Sequence, residues 1–114
     1  MEIVADQGRI KISNEVIMMI VRRAVDEVQG IVSFSGGLPG GFTEVFSKRT
    51  TTKKGVKITN EETQVVINLS IVIEYGVIIP DVVKKVQESV QKSVESMTDI
   101  KVGTVNVLVQ DIKV

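Results

Sequence analysis

The alternation of apolar and polar residues is most regular between Gln64 and Tyr75, which read QVVINLSIVIEY. Successive side chains of a strand point to opposite faces, so every second residue shares one face. On one face these are all apolar or aromatic: Val65, Ile67, Leu69, Ile71, Ile73 and Tyr75. The other face is mixed, so only one side of the sheet needs cover. This stretch predicts the central strand of a sheet covered on one face.

Two stretches whose apolar residues recur with helical spacing are predicted to form helices that cover this face of the sheet. The first runs from Asn14 to Glu27 with Ser13 as N-cap, and its apolar residues recur every three or four positions. They are Ile17, Ile20, Val21, Ala24 and Val28. The second begins near Pro80, whose missing N–H is tolerated in a first turn. Its predicted apolar stripe is Ile79, Val83, Val86, Val90, Val94 and Met97, flanked by Ser89, Ser93 and Ser96, which would let the helices approach closely.

Four shorter strands are predicted at 8–12, 31–35, 56–59 and 104–109. Ile10 and Ile12 are expected to face inward in the first, and Val105, Val107 and Val109 in the last. Residues 36–41, GGLPGG, predict a flexible loop, followed by a helical turn over 42–48 and a polar run over 49–54. The order β-α-β-β-β-α-β predicts one α+β domain over residues 1–114. The predicted architecture is a two-layer sandwich, with one sheet of about five strands and two helices on one face.

Composition argues against catalysis. The 114 residues include no His and no Cys, so the usual neutral-pH proton shuttle and the thiolate are both missing. No segment alternates oxygen ligands as a hard-cation loop requires. GGLPGG is followed by Phe42 and Thr43 rather than the Lys and Ser or Thr of a phosphate-binding loop. We therefore expect no enzyme activity, no cofactor and no metal site.

Charge and hydropathy limit the possible cellular locations and binding partners of the protein. The formal net charge is zero, so no global attraction to nucleic acid or anionic lipid is expected. The chain starts MEIVAD, unlike a signal peptide, and no apolar run approaches the ~20 residues of a membrane span. A cytoplasmic protein without direct membrane insertion is the expectation. A mean hydropathy of +0.22 suggests that some apolar surface meets a partner.

Met18 and Met19 are one candidate binding feature. At 100° per residue, Met19 points away from the apolar stripe of the first helix and Met18 lies at its flank. Flexible thioethers suit a surface for a protein partner or for self-association. The alternative is that Met18 belongs to the core and that Met19 is an ordinary isolated exposed residue.

A basic cluster is the other candidate. It consists of Lys48, Arg49, Lys53, Lys54 and Lys57. Such cations could neutralise phosphates and give salt-sensitive nucleic-acid binding, the alternative function. Base stacking requires aromatic side chains, and none lies between Phe46 and Tyr75. A solvated loop is the more common meaning of this pattern.

Two segments resemble the alkaline shock protein family, the envelope-stress-response proteins of Gram-positive and related bacteria. Residues 8–37 include GRIKISNEVI followed by EVQG, similar to the opening of that family. Residues 74–112 include EYGVIIPDVV, VQESV, MTD and VNVLV, similar to its second half. Asp99 stands where the family usually has Gly after Met-Thr, and a left-handed turn tolerates Asp less well than Gly.

The resemblance implies a small cytoplasmic protein of cell-envelope homeostasis and alkaline or general stress. Members are not known as enzymes, and some are held near the membrane by an integral-membrane partner. Our leading hypothesis is accordingly a non-enzymatic interaction or scaffold protein that acts through protein partners or as a homo-oligomer. The family supplies no catalytic motif that could be carried over to this chain.

Overall fold

The computed structural model describes residues 1–35, 45–46 and 50–114. In chain order its elements are β1 (Glu2–Ala5), β2 (Gly8–Lys11), α1 (Asn14–Asp26), β3 (Ile31–Phe34), β4 (Val45–Phe46), β5 (Thr50–Lys53), β6 (Val56–Asn60), β7 (Val65–Glu74), α2 (Ile79–Thr98) and β8 (Val102–Lys113). The predicted α+β class and the placement of both helices are confirmed. GGLPGG, Lys48 and Arg49 lie outside the described residues.

The predicted central strand is confirmed as β7. It pairs in parallel with β8 along one edge, and antiparallel with β6 and β3 along the other. The described sheet has six strands in the order β3-β7-β6-β5-β4, with β8 beside β7. Since β6 covers Val65–Leu69 and β3 covers Ile71–Ile73, this second edge of β7 is shared by two strands.

The two strands meet at Ser70, which forms a fork in the sheet. The Ser70 N–H donates to the Gly55 carbonyl at 2.8 Å, and the Ser35 N–H donates to the Ser70 carbonyl at 2.9 Å. Gly55 has φ +82°, and a Cβ there would lie 2.6 Å from the Ser35 carbonyl oxygen. Only glycine fits this junction without a backbone shift.

The core lies between β7 and the two helices. The residues of the predicted apolar face that lie in β7 are at most 1% exposed, whereas Tyr75, which follows the end of β7, is 73% exposed. From α1 and α2 the core receives Ile17, Ile20, Val21, Ala24, Val86, Val90 and Val94. The predicted close approach of the helices is confirmed by the Ser89 hydroxyl, which donates to the Ala24 carbonyl at 3.0 Å. Both helices therefore cover the same face of the sheet.

The predicted apolar stripe of α2 is wrong at its ends. Ile79 and Met97 are 38% and 70% exposed, whereas Val82 and Thr98 are buried. The buried column repeats every four residues, and four residues of a helix turn by 400°, so the column drifts 40° per step. The prediction assumed an apolar stripe parallel to the helix axis, so it did not include the residues of this oblique contact. Thr98 is buried without cost because its hydroxyl donates to the Val94 carbonyl at 2.6 Å.

The first strand departs from the prediction because it belongs to a separate hairpin. β1 and β2 form their own two-stranded sheet, and β1 was not predicted. Ile10 pairs with Ile3 there and is 49% exposed, so its expected inward position is wrong. Ile12 is half-buried against the core, as expected. Val105, Val107 and Val109 are likewise half-buried against it.

The segment predicted as a helical turn and a polar run contains strands where it is described. Val45–Phe46 forms β4 and Thr50–Lys53 forms β5, and the two pair antiparallel. Three consecutive threonines explain β5, since β-branched side chains favour a pleated surface although they are polar. The turn between β5 and β6, which carries Lys53 and Lys54, lies against α1.

Candidate interaction site

Met18 and Met19 have opposite environments on α1. Ser13 begins the helix, and its hydroxyl accepts from the Val16 N–H at 3.3 Å, which confirms the predicted N-cap. Met18 is 4% exposed and joins the core, whereas Met19 is 68% exposed. The outward direction predicted for Met19 is confirmed, whereas Met18, predicted at the flank of the stripe, lies in the core. Any contact with a partner falls mainly to Met19.

The turn between β5 and β6 lies beside this face of α1. Lys53 pairs with Val56, so Lys54 and Gly55 form a two-residue turn. Their φ values are 48° and 82°, and two positive values define the type I′ hairpin turn. The tight turn fixes where the two lysines lie relative to the helix.

Arg22 attaches the turn to α1. It lies three residues after Met19, on the next turn of the helix. Its Nη2 atom donates to the Lys53 carbonyl at 3.1 Å and to the Lys54 carbonyl at 2.9 Å. The guanidinium carbon also lies 4.9 Å from the centre of the Phe34 ring, a cation–π distance. Arg22 therefore positions both lysines.

These residues line a groove of about 330 Å³, named here the α1 groove. Its lining is Glu15, Met18, Met19, Arg22, Lys53 and Lys54. The fold thus brings together the methionine pair and two members of the basic cluster. Lys57 pairs with Thr52, one position from the Thr51–Ile58 pair that faces the core, so it lies on the other face of the sheet. Lys48 and Arg49 lie outside the described residues.

The groove combines an apolar side chain with a positive rim. Among the described residues that line it, Arg22, Lys53 and Lys54 provide three cations against the single carboxylate of Glu15. Sequence reasoning missed Arg22, although its helical spacing from Met19 could have suggested it. In the described part of the chain, no three His, Cys, Asp or Glu side chains cluster as metal ligands would. The arrangement suits binding of an acidic segment that carries an apolar side chain.

A second cleft lies between the end of α1 and α2. It has a volume of about 620 Å³, and its lining is Glu27, Val28, Gln29, Lys85, Glu88, Ser89, Lys92, Ser93 and Ser96. The carboxylates and ammonium groups balance, and Ser89 is already engaged in helix packing. The described lining of this cleft offers no exposed large apolar side chain comparable to Met19, so the α1 groove is the better candidate.

Fold and surface together describe a small α+β protein marked by an open groove. None of its described helices is long and apolar enough to cross a membrane. Residues 2–114 match the model of the alkaline shock protein 23 family, which is described as having a cell envelope-related function. The chain belongs to this family, and the resemblance to alkaline shock proteins is confirmed.

Curated relatives extend the comparison. The chain is 34% identical over 109 residues to the uncharacterized protein YloU of Bacillus subtilis, covering 94% of this chain and 90% of YloU. It is 32% identical over 100 residues to the uncharacterized YqhY of the same organism, covering 88% and 73%. A Streptococcus pyogenes serotype M3 protein named as a stress response regulator gls24 homolog is 31% identical over 109 residues, covering 96% and 61%. No solved structure matches the chain.

Proposed function

We propose that this chain is a non-enzymatic interaction protein of the cell-envelope stress response, and that it binds a protein partner through the α1 groove. The observation that carries the proposal is the position of Met19, 68% exposed in a groove rimmed by Arg22, Lys53 and Lys54. The family description supports the envelope role, and the name of the streptococcal relative supports the link to stress.

The groove chemistry specifies the partner's segment. An apolar side chain of the partner would pack on the Met19 thioether, which adapts readily to different shapes. Carboxylates on either side of it would pair with Lys53 and Lys54, mainly speeding association and fixing orientation. A cytoplasmic segment of an integral-membrane protein that carries this pattern fits the proposal, and would hold the chain near the membrane.

Replacement of Met19 by Glu tests the proposal. The variant protein, tagged and cross-linked in its native cells, should lose a partner that wild type captures, because a carboxylate would face the partner's acids. Membrane and soluble fractions are analysed separately, so an integral-membrane partner is identified by its fraction. Equal recovery of the partner by Met19→Glu would remove the α1 groove from the proposal.

Met97→Glu is the matched control. Met97 is 70% exposed and also lies on a helix, but it is outside the α1 groove. This variant should capture the partner as wild type does. If both substitutions abolish capture, the effect is due to added charge in general and not to the groove.

Nucleic-acid binding is the second candidate, favoured by the two lysines that lie side by side at the turn. It predicts RNA binding whose affinity falls steeply with salt. Neutralising Lys48, Arg49, Lys53 and Lys54 together should then abolish RNA binding. If this quadruple variant binds RNA as well as wild type does, the second candidate is wrong.

A further inference from the structure

The outer edge of β8 has no strand beside it in the described part of the chain. β8 is 12 residues long, and among the described strands it pairs with β7 alone. An unpaired edge presents a row of backbone N–H and C=O groups that can pair with another strand. The length of β8 makes this the longest such edge among the described strands.

The ladder identifies the residues whose backbone groups face this edge. The Ser70 N–H and C=O bond toward β6 and β3, so the neighbouring residues Leu69 and Ile71 bond toward β8. Register aligns Ile67–Ile71 with Val105–Val109 without a shift, which leaves the backbone groups of Val105, Val107 and Val109 at the outer edge. The Val105 carbonyl confirms the direction, because it accepts from Gln87 Nε2 at 3.0 Å.

Side chains already occupy both ends of this edge. Glu95 accepts from the Val102 N–H at 3.0 Å, and the Asp111 carboxylate accepts from the Ile112 N–H at 2.8 Å. Because Gln87 also bonds to the Val105 carbonyl, the outward N–H and C=O groups of Val107 and Val109 form the open centre of the edge. No charge or proline, the usual protection of an edge, lies between residues 102 and 110.

We propose that this centre pairs antiparallel with the same edge of a second copy of the chain, about a two-fold axis at Leu108. In that register Leu108 lies opposite itself at a non-hydrogen-bonded position, and Val107 lies opposite Val109 of the second copy. Four backbone hydrogen bonds form, from the open groups alone. The contacts of Gln87, Glu95 and Asp111 with the edge remain in place.

A second copy fits this edge because the edge is self-complementary. Leu108 is 45% exposed, and in this register its side chain is covered by its own equivalent. No ionisable side chain lies from 102 to 110, and the chain has zero formal net charge, so two copies do not repel. Asp111 lies opposite Val105, away from Asp111 of the second copy. A β-strand from a different protein is the competing occupant.

This inference does not depend on the proposed function. Leu108 aligns with Ser70, on the sheet face opposite the helices, and the α1 groove lies beyond β6. A substitution at Leu108 therefore leaves the α1 groove intact, and failure of one proposal leaves the other standing.

Sedimentation equilibrium of the full chain is the first test. Wild type should show a concentration-dependent monomer–dimer equilibrium. Leu108→Lys places two ammonium groups opposite each other and should raise the dissociation constant at least about tenfold. Met97→Lys, at an exposed site on α2, should leave it unchanged. A wild type that stays monomeric, or a dimer indifferent to Leu108→Lys, would overturn the proposal.

Disulfide cross-linking then tests the register. The chain has no Cys, so each single-cysteine variant carries one thiol. In Leu108→Cys the two Cα atoms would lie about 4.5 Å apart, within disulfide range. In Asn106→Cys they would be offset by four residues, roughly 13 Å along the strands. Rapid dimerisation of Leu108→Cys alone is expected. Equal cross-linking of both variants would contradict pairing about Leu108.

Discussion

One peptide bond separates Met18 in the core from Met19 on the surface, and both residues line the α1 groove. Residues 100° apart on a helix can lie on either side of the boundary between core and solvent. The two identical side chains therefore have different environments. Met18 closes the core beneath the groove, and Met19 is available to a partner.

Asp99 has a backbone conformation that suits glycine better than aspartate. It ends α2 with φ 60°, in the left-handed region, and its N–H donates to the Glu95 carbonyl at 3.0 Å. Asp99→Gly should raise the free energy of unfolding by about 0.5–1 kcal/mol, because glycine adopts this conformation without strain. Urea denaturation measures the change.

Asp99→Asn is the control for that prediction. It removes a carboxylate that lies at the negative end of the helix dipole, but it keeps a residue that tolerates a left-handed conformation. If Asn stabilises the chain as much as Gly does, charge rather than backbone strain is the cause.

At the scale of elements, the fork at Ser70 decides how the sheet is assembled. β3 and β6 share one edge of β7, and the backbone closes tightly around Gly55 at the point where they meet. The same glycine completes the type I′ turn that displays Lys53 and Lys54. Sheet construction and groove construction therefore depend on one position.

Gly55→Ala should destabilise the chain by at least about 2 kcal/mol. The positive φ alone costs an alanine about 1–2 kcal/mol, and its Cβ would meet the Ser35 carbonyl oxygen 2.6 Å away. Gly76→Ala is the matched control, since Gly76 has φ +97° but no atom within 4 Å of an added Cβ. Thermal unfolding of both variants compares them. Equal losses would mean that the close contact at the fork contributes nothing.

Across the whole molecule, sequence patterns correctly predicted the features that depend on short stretches of the chain. The period-2 alternation of β7 and the stripe and N-cap of α1 are properties of short stretches, and they were predicted correctly. The oblique burial of α2 and the exposure of Ile10 depend on how elements dock, which no periodicity records. β5 was missed because its threonines are polar, although their branching suits a strand.

The candidate site was predictable only in parts. Helical geometry predicted that Met19 is exposed, and the charge run predicted that Lys53 and Lys54 are accessible. Their union in one groove requires Arg22 to bond to carbonyls more than thirty residues away. A contact between two segments that are distant in sequence cannot be predicted from the residue spacing within either segment.

The placement of the α1 groove and the β8 edge on opposite sides of β7 has a consequence for avidity. The groove and the edge lie on opposite sides of β7, so a paired molecule presents two grooves at once. On a surface crowded with partner molecules, the second groove would bind at a high effective concentration. Wild type should therefore dissociate more slowly than Leu108→Lys from a densely coated sensor, and at the same rate from a sparse one. Equal rates at high density would show that the two grooves cannot be engaged together.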